Sequence, residues 1–324
     1  MDIYMEQTQS NRLKYFPITL FASVMGLAGL SIVLLKMAHV LHFSVLWGET
    51  LLYLVSAWFV FLNIVYGLKW IKYPEEVKIE YNHPVRMHFF PAYSICFLLF
   101  AIAFLSVNPA ISRVTWWIGV VIHLLLLLRT LYAWFHKNYN VPTFNPAWFI
   151  PVVGPILVPV AGTQVANPEI SWFFFSIGIV YWIVLLAILM YRVIFHDPLP
   201  AKLVPTFFIL IAPAAVGFIA YIKLTHSLDP FSRILFYFAI FTMLMLFTMI
   251  DKFTKVPFFI SWWAYTFPLD AVTLATALMY ELTHFMFFKV LAGIFMGLTI
   301  LIILLVLIKT IQAVGHGKLC VPEG

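Results

Sequence analysis

Within the stretch Phe258 to Tyr280, FFISWWAYTFPLDAVTLATALMY, three neighbouring side chains bring chemistry to an otherwise apolar run. Phe267 carries a bulky ring, Pro268 lacks a backbone donor, and Asp270 is ionisable. A proline inside a helix removes one hydrogen bond and crowds the preceding turn, so the spacing predicts a kink at Pro268. In hydrocarbon the freed carbonyl needs a protein or water partner, which turns such a break away from lipid. An aromatic ring at the break can block a pore sterically and by dewetting it. The acid is costly at membrane depth and is therefore a candidate functional group. It could pair with Lys36, carry a proton, or cap a helix half that restarts after Pro268. Among 33 phenylalanines, ordinary packing is the competing role for Phe267.

Other candidates are weaker. Lys36 stands late in an apolar run and could line a pathway or snorkel to the interface. Thr163 and Gln164 close another run and could line a vestibule, although polarity facing a loop is the simpler role. His39, His42, His123, His136 and His284 do not make a metal cluster, because His39 and His42 have no third ligand nearby. Cys96 and Cys320 form neither a disulfide framework nor a metal-ligand pattern. No phosphate-binding loop, GxSxG or HExxH occurs. The residues thus predict neither an enzyme nor a cofactor, and they leave ATP-driven transport without a motor.

Composition sets the elements that must position these groups. Hydrophobic residues make up 64% of 324 and charged residues 10%, with mean hydropathy +1.00. A soluble domain has roughly 45–50% apolar and about 25% charged residues, so the chain reads as an all-α polytopic membrane protein. The net charge of +6 resides mostly at span ends and does not point to nucleic acid. The polar first residues lack a short apolar core with a small-residue cleavage site, so no cleaved signal peptide is predicted.

At about 20 apolar residues per span, ten spans fit: 17–40, 47–69, 85–107, 114–135, 144–164, 170–194, 203–224, 233–250, 258–280 and 285–308. The expected organisation is an N-terminal leader over 1–16, a transmembrane domain over 17–309 and a tail over 310–324. Past the first pair, prolines alternate. The third span holds Pro91, the fifth Pro151 and Pro155 among four, the seventh Pro205 and Pro213, and the ninth Pro268, while the even spans are plain apolar helices. A repeating hairpin of one broken and one straight helix is a repeat architecture, common among transporters. Broken helices need protein or water at their breaks, so the odd spans should form an inner ring around a central pore and the even spans an outer ring facing lipid.

Lys and Arg at the span ends divide fourteen to five. Lys36, Arg113, Lys223, Arg233 and Lys289 make the minority. By the positive-inside rule both termini are expected in the cytoplasm of a cell-membrane protein.

The block WWAYTFPLD, Trp262 to Asp270, resembles the WWAYSFP signature of plant slow-type anion channels and the corresponding span of bacterial tellurite-resistance proteins. FIPVVGPILVP (Phe149 to Pro159), EYNHPVR (Glu80 to Arg86) and YFPITLF (Tyr15 to Phe21) are similar to further blocks of this slow anion channel, tellurite-resistance and C4-dicarboxylate transporter family. The resemblance spans nearly the whole chain. It implies five helical hairpins around a central pore, usually as a homotrimer, passing inorganic or organic anions. By motif match it places the pore-occluding phenylalanine at Phe267. Two features separate this chain from the plant channels. Asp270 stands where a neutral residue is expected there, and the proline-rich fifth span looks more like the dicarboxylate-transporter branch. A passive anion channel and a proton-coupled carrier of C4-dicarboxylates, sulfite or tellurite-related oxyanions are both open at this point. Selectivity is expected from weak electrostatics and dehydration, since no ring of Arg or Lys is visible in the odd spans.

Overall fold

Prolines and distal turn residues set the helix boundaries. The computed structural model describes residues 12–321, so positions 1–11 of the expected leader and 322–324 of the expected tail lie outside the described residues. The spans are α1 (Ile18–Leu41), α2 (Leu46–Lys72), α3 (Arg86–Phe104), α4 (Pro109–His136), α5 (Pro146–Val165), α6 (Pro168–Phe195), α7 (Ala201–Thr225), α8 (Pro230–Phe247), α9 (Ile260–Thr283) and α10 (Met286–Gly315). Among the described residues nine are long and apolar enough to cross a membrane. The tenth, α9, is helical over a comparable length and less apolar because it carries Asp270, Glu281 and four threonines.

The two sets of helices separate by burial. In α1, α3, α5 and α7, between 67% and 83% of the apolar window is buried, against 22% to 39% in the even helices. Helix α1 packs on α3, α3 on α5, α5 on α7, α7 on α9, and α9 back on α1, which closes a ring of five. Each even helix lies outside its own hairpin partner. The alternation of broken and plain spans therefore does sort inner from outer helices.

The mechanism differs from mid-helix kinking. Each inner helix starts as a 3-10 segment and turns into α-helix further along. Pro91 and Pro159 sit at the first positions of their α-segments, and Pro213 and Pro268 stand third in theirs. A missing N–H costs little there, because the first N–H groups of a helix have no intrahelical acceptor. Pro205 lies inside the ten-residue 3-10 stretch Ala201–Leu210. Helix α5 is the most interrupted, with α-segments Phe149–Val153 and Val158–Val165 separated by a 3-10 turn that contains Pro155. Pro155 offers no N–H to the carbonyl of Pro151. That carbonyl lies 3.1 Å from Nε2 of His123 on α4, whose Nδ1 is 2.8 Å from Ser94 Oγ. A carbon side chain at Gly154 would collide with the same imidazole. His123 thus closes the break in α5 and has no ring nitrogen left for a metal.

The even helices begin earlier than their apolar runs suggest. Asn108-Pro109, Asn167-Pro168 and Asp229-Pro230 each place a capping side chain on a helix N-terminus and a proline in its first turn. Arg113 and Arg233 consequently lie inside α4 and α8. Helices α1, α7 and α9 stop at His42, His226 and His284, all in the left-handed region with φ between 53° and 61°.

Candidate functional site

The ring encloses two cavities that lie end to end. The larger, about 1000 Å³, is lined by the starts of the inner helices, and we call it the basal chamber. The smaller, about 170 Å³, is lined by their later turns and is the distal chamber. Three residues line both: Leu157 of α5, Val216 of α7 and Phe267 of α9. In α1 and α3 the same level falls between Met25 and Gly29 and between Ile95 and Leu99. We call this shared apolar wall the waist, and among the described residues Phe267 is the only aromatic residue common to both chambers. Spacing of three and four brings Ala264, Phe267, Ala271, Leu274 and Leu278 onto one stripe of α9 facing the lumen.

Helix α9 holds the ring in place through its neighbours. The hydroxyl of Thr266 donates to the carbonyl of Trp263 at 2.7 Å, and the same side chain fills the notch left by Gly26 of α1. Trp263 donates from Nε1 to Thr310 Oγ1 of α10 at 3.1 Å. The change from 3-10 to α geometry falls at Tyr265 and Thr266, directly before Phe267.

Asp270 lies off the lumenal stripe. Its side chain is fully buried and abuts Gly29 of α1, where a Cβ would meet the carboxyl group. It lines neither chamber, and neither oxygen has a hydrogen-bond partner among the described residues. It does not pair with Lys36, and it caps nothing, since α9's α-segment begins at Thr266 without a side-chain cap. Lys36 pairs instead with Glu281, near the distal end of α9. The two residues lie on neighbouring inner helices, 245 positions apart in sequence. Thr163 stands in the last turn of α5 and lines neither chamber. Of the prolines, Pro213 and Pro268 line the basal chamber, and Pro91, Pro151 and Pro155 are buried in the wall.

Basic side chains mark both ends of the pathway, which the search for a ring within the odd spans misses. Lys14, Lys69, Arg86, Lys202, Lys309 and Lys318 line the basal chamber with two acids, Glu76 and Glu80. Lys14 pairs with Glu76 at 3.1 Å. Lys69 donates to Glu80 Oε2 and to the carbonyl of Phe16, both at 2.7 Å, while Glu80 also accepts from Tyr66 and from the backbone N–H of Ile18. That buried network ties the start of α1 to the end of α2 and to the connecting helix Pro74–Asn82. Arg86, Lys202, Lys309 and Lys318 have no carboxylate partner among the described residues. The distal chamber contains Lys36 and Lys223. Positive walls at both mouths and an apolar waist suit an anion and repel a cation.

A ring of five inner helices around a two-chamber pathway, sheathed by five outer helices, defines a membrane channel or transporter built from hairpin repeats. The chain belongs to the voltage-dependent anion channel family, SLAC1, whose profile matches residues 15–311. An uncharacterized transporter of Methanocaldococcus jannaschii is 30% identical over 95% of this chain and 97% of its own length. The guard cell S-type anion channel SLAC1 of Arabidopsis thaliana is 30% identical over 81% of this chain and 49% of its own length. A tellurite resistance protein TehA homolog of Haemophilus influenzae is 24% identical over 90% of this chain and 92% of its own.

Proposed function

We propose that the protein is a channel for small anions and that Phe267 occludes its pore. The observation that carries this reading is the shared wall: Phe267 borders both chambers at an apolar waist, with basic residues on either side. A hydrated anion reaches the waist through a positive field, and there it must shed water against a ring that offers no polar replacement. The barrier is then steric and dehydrative, and it falls when the ring is removed or turned aside. Purified protein in planar bilayers under a chloride or nitrate gradient tests this. Phe267→Ala is expected to raise the current, with reversal near the anion equilibrium potential. Equal, cation-selective or absent current in wild type and variant overturns the reading.

A second reading, proton-coupled transport of C4-dicarboxylates or oxyanions, draws support from Asp270. A fully buried carboxyl without a partner is costly when charged, so its charge state is coupled to how α1 and α9 pack. Dicarboxylate uptake driven by a pH gradient and abolished by Asp270→Asn would favour this carrier over the channel.

The assembly is proposed as a homotrimer in the cell membrane with both termini in the cytoplasm. The fourteen-to-five basic bias supports the orientation. An open face of α10, where Gly293 and Gly297 have nothing within 4 Å of an added Cβ, leaves room for another helix to approach.

A further inference from the structure

We infer that the distal chamber is an anion-binding site formed by Lys36 and Lys223, in which Glu281 acts as a tethered competitor that a permeating anion must displace.

The inference rests on the anion-pathway reading and extends it to three charges on three adjoining inner helices. Lys36 is on α1, Lys223 on α7 and Glu281 on α9, and α9 packs against both of the others. Both lysines line the chamber immediately beyond Phe267, whereas Glu281 does not. Glu281 reaches Lys36 from the side as an ion pair whose members are about one-third exposed. Lys223 lines the same chamber as Lys36, and no carboxylate bonds it among the described residues. Two cations therefore share one anion, and the chamber keeps one uncompensated positive charge.

The other walls are apolar: Ile32, Leu99, Val160, Ile219 and Leu274 offer no competing donor. At about 170 Å³ the space admits a small anion with part of its hydration shell, since water takes about 30 Å³ per molecule. An anion that has lost water at the waist regains charge-assisted contacts here. A pair of lysines without a nearby acid would hold it too long for conduction, because flux requires weak or multi-site binding. Glu281 limits that residence by returning to Lys36 as the anion leaves. The chemistry selects a compact monovalent anion such as nitrate or chloride over a cation.

The test reads binding without requiring conduction. The full chain in detergent is melted across a sodium nitrate series, with ionic strength held constant by gluconate, and the stabilisation midpoint is taken as the readout. A single charge beside a partly exposed site changes affinity by about tenfold. Glu281→Gln is therefore expected to lower the nitrate midpoint about tenfold, and Lys223→Gln to raise it about tenfold. Lys36→Gln with Glu281→Gln together keep the net charge and should return the midpoint to within about threefold of wild type. Midpoints for Glu281→Gln and Lys223→Gln within twofold of wild type overturn the site. A weaker midpoint for Glu281→Gln overturns the competitor role. If these shifts appear while Phe267→Ala passes no current, the conduction reading fails and the site stands. If Glu281→Gln does not fold, the double variant against Lys36→Gln alone decides the same question.

Discussion

Helices α9 and α10 are consecutive and packed together, yet they follow opposite rules. Helix α9 buries eleven of the eighteen residues in its α-segment, including Asp270, Thr266, Thr273 and Thr276. Helix α10 is longer and richer in leucine and isoleucine, and only 22% of its apolar window is buried. In a soluble protein the more apolar helix would lie inside. In a bilayer the solvent is itself apolar, so the positions needing protein around them are polar, broken or closely packed. Thr273 and Thr299 meet across the α9–α10 contact at 3.2 Å, while Leu301 and Leu304 on α10 point outward. Hydrophobicity therefore reads the outer ring, and departures from it read the inner one.

The contrast breaks most visibly at Phe267. Exchange for alanine should raise anion current by more than about tenfold, because an apolar waist excludes ions steeply. The same exchange at Phe287, an exposed ring of α10, should leave the current unchanged in the same bilayer recording. A smaller functional effect but a larger structural one is expected from Gly29→Val, which pushes methyl groups into the Asp270 carboxyl. Overpacking of this kind costs roughly 1–3 kcal/mol, visible as a lower melting temperature in detergent. Thr299→Val, which removes one buried hydroxyl contact between the two helices, should cost about 1 kcal/mol. Leu301→Ala on the outward face should stay within about 0.5 kcal/mol of wild type, since surface exchanges away from special features are nearly silent. If Leu301→Ala proves as damaging as Gly29→Val, α10 is not lipid-facing along that stripe, and the comparison fails.

The mildest effect is expected at the turn joining an inner helix to an outer one. Asp229 accepts from the Ser232 N–H at 2.9 Å and from the Tyr221 hydroxyl at 2.7 Å. The first of these leads in holding its carboxyl below the usual range. A depressed folded value makes the cap's contribution fully present above the ordinary carboxylate pKa of about 3.9 and lost as pH falls through the folded value. Melting between pH 6 and 3 should show this small acid loss in wild type and not in Asp229→Asn.

The sequence made the ring legible because proline alternation reports which helices need protein around them. The lumenal stripe was not legible: Phe267, Ala271, Leu274 and Leu278 share a helical spacing, but nothing in the spacing says which face of α9 meets the pathway. Asp270 is accordingly a candidate for the pathway in the sequence, and only the packing of α9 on α1 places it off the lumen. The apolar runs place the starts of the even helices late, because Arg113 and Arg233 interrupt them, although Asn108-Pro109, Asn167-Pro168 and Asp229-Pro230 carry the capping signal. Two further things were not legible. A proline reports a missing donor and says nothing of whether the chain before it is 3-10 or α. The partner of Lys36 is set by how α1 and α9 pack, and no local pattern near Lys36 points to Glu281.

The 3-10 starts of the inner helices have a mechanical consequence. A 3-10 helix turns about 120° and rises about 2.0 Å per residue, whereas an α-helix turns about 100° and rises about 1.5 Å. Rewinding one residue from the first form to the second shortens the rod by about 0.5 Å and twists one end against the other by about 20°. The junction in α9 falls immediately before Phe267. The basal end of that helix thus has the geometry of a screw thread, on which any rewinding would turn the ring at the waist.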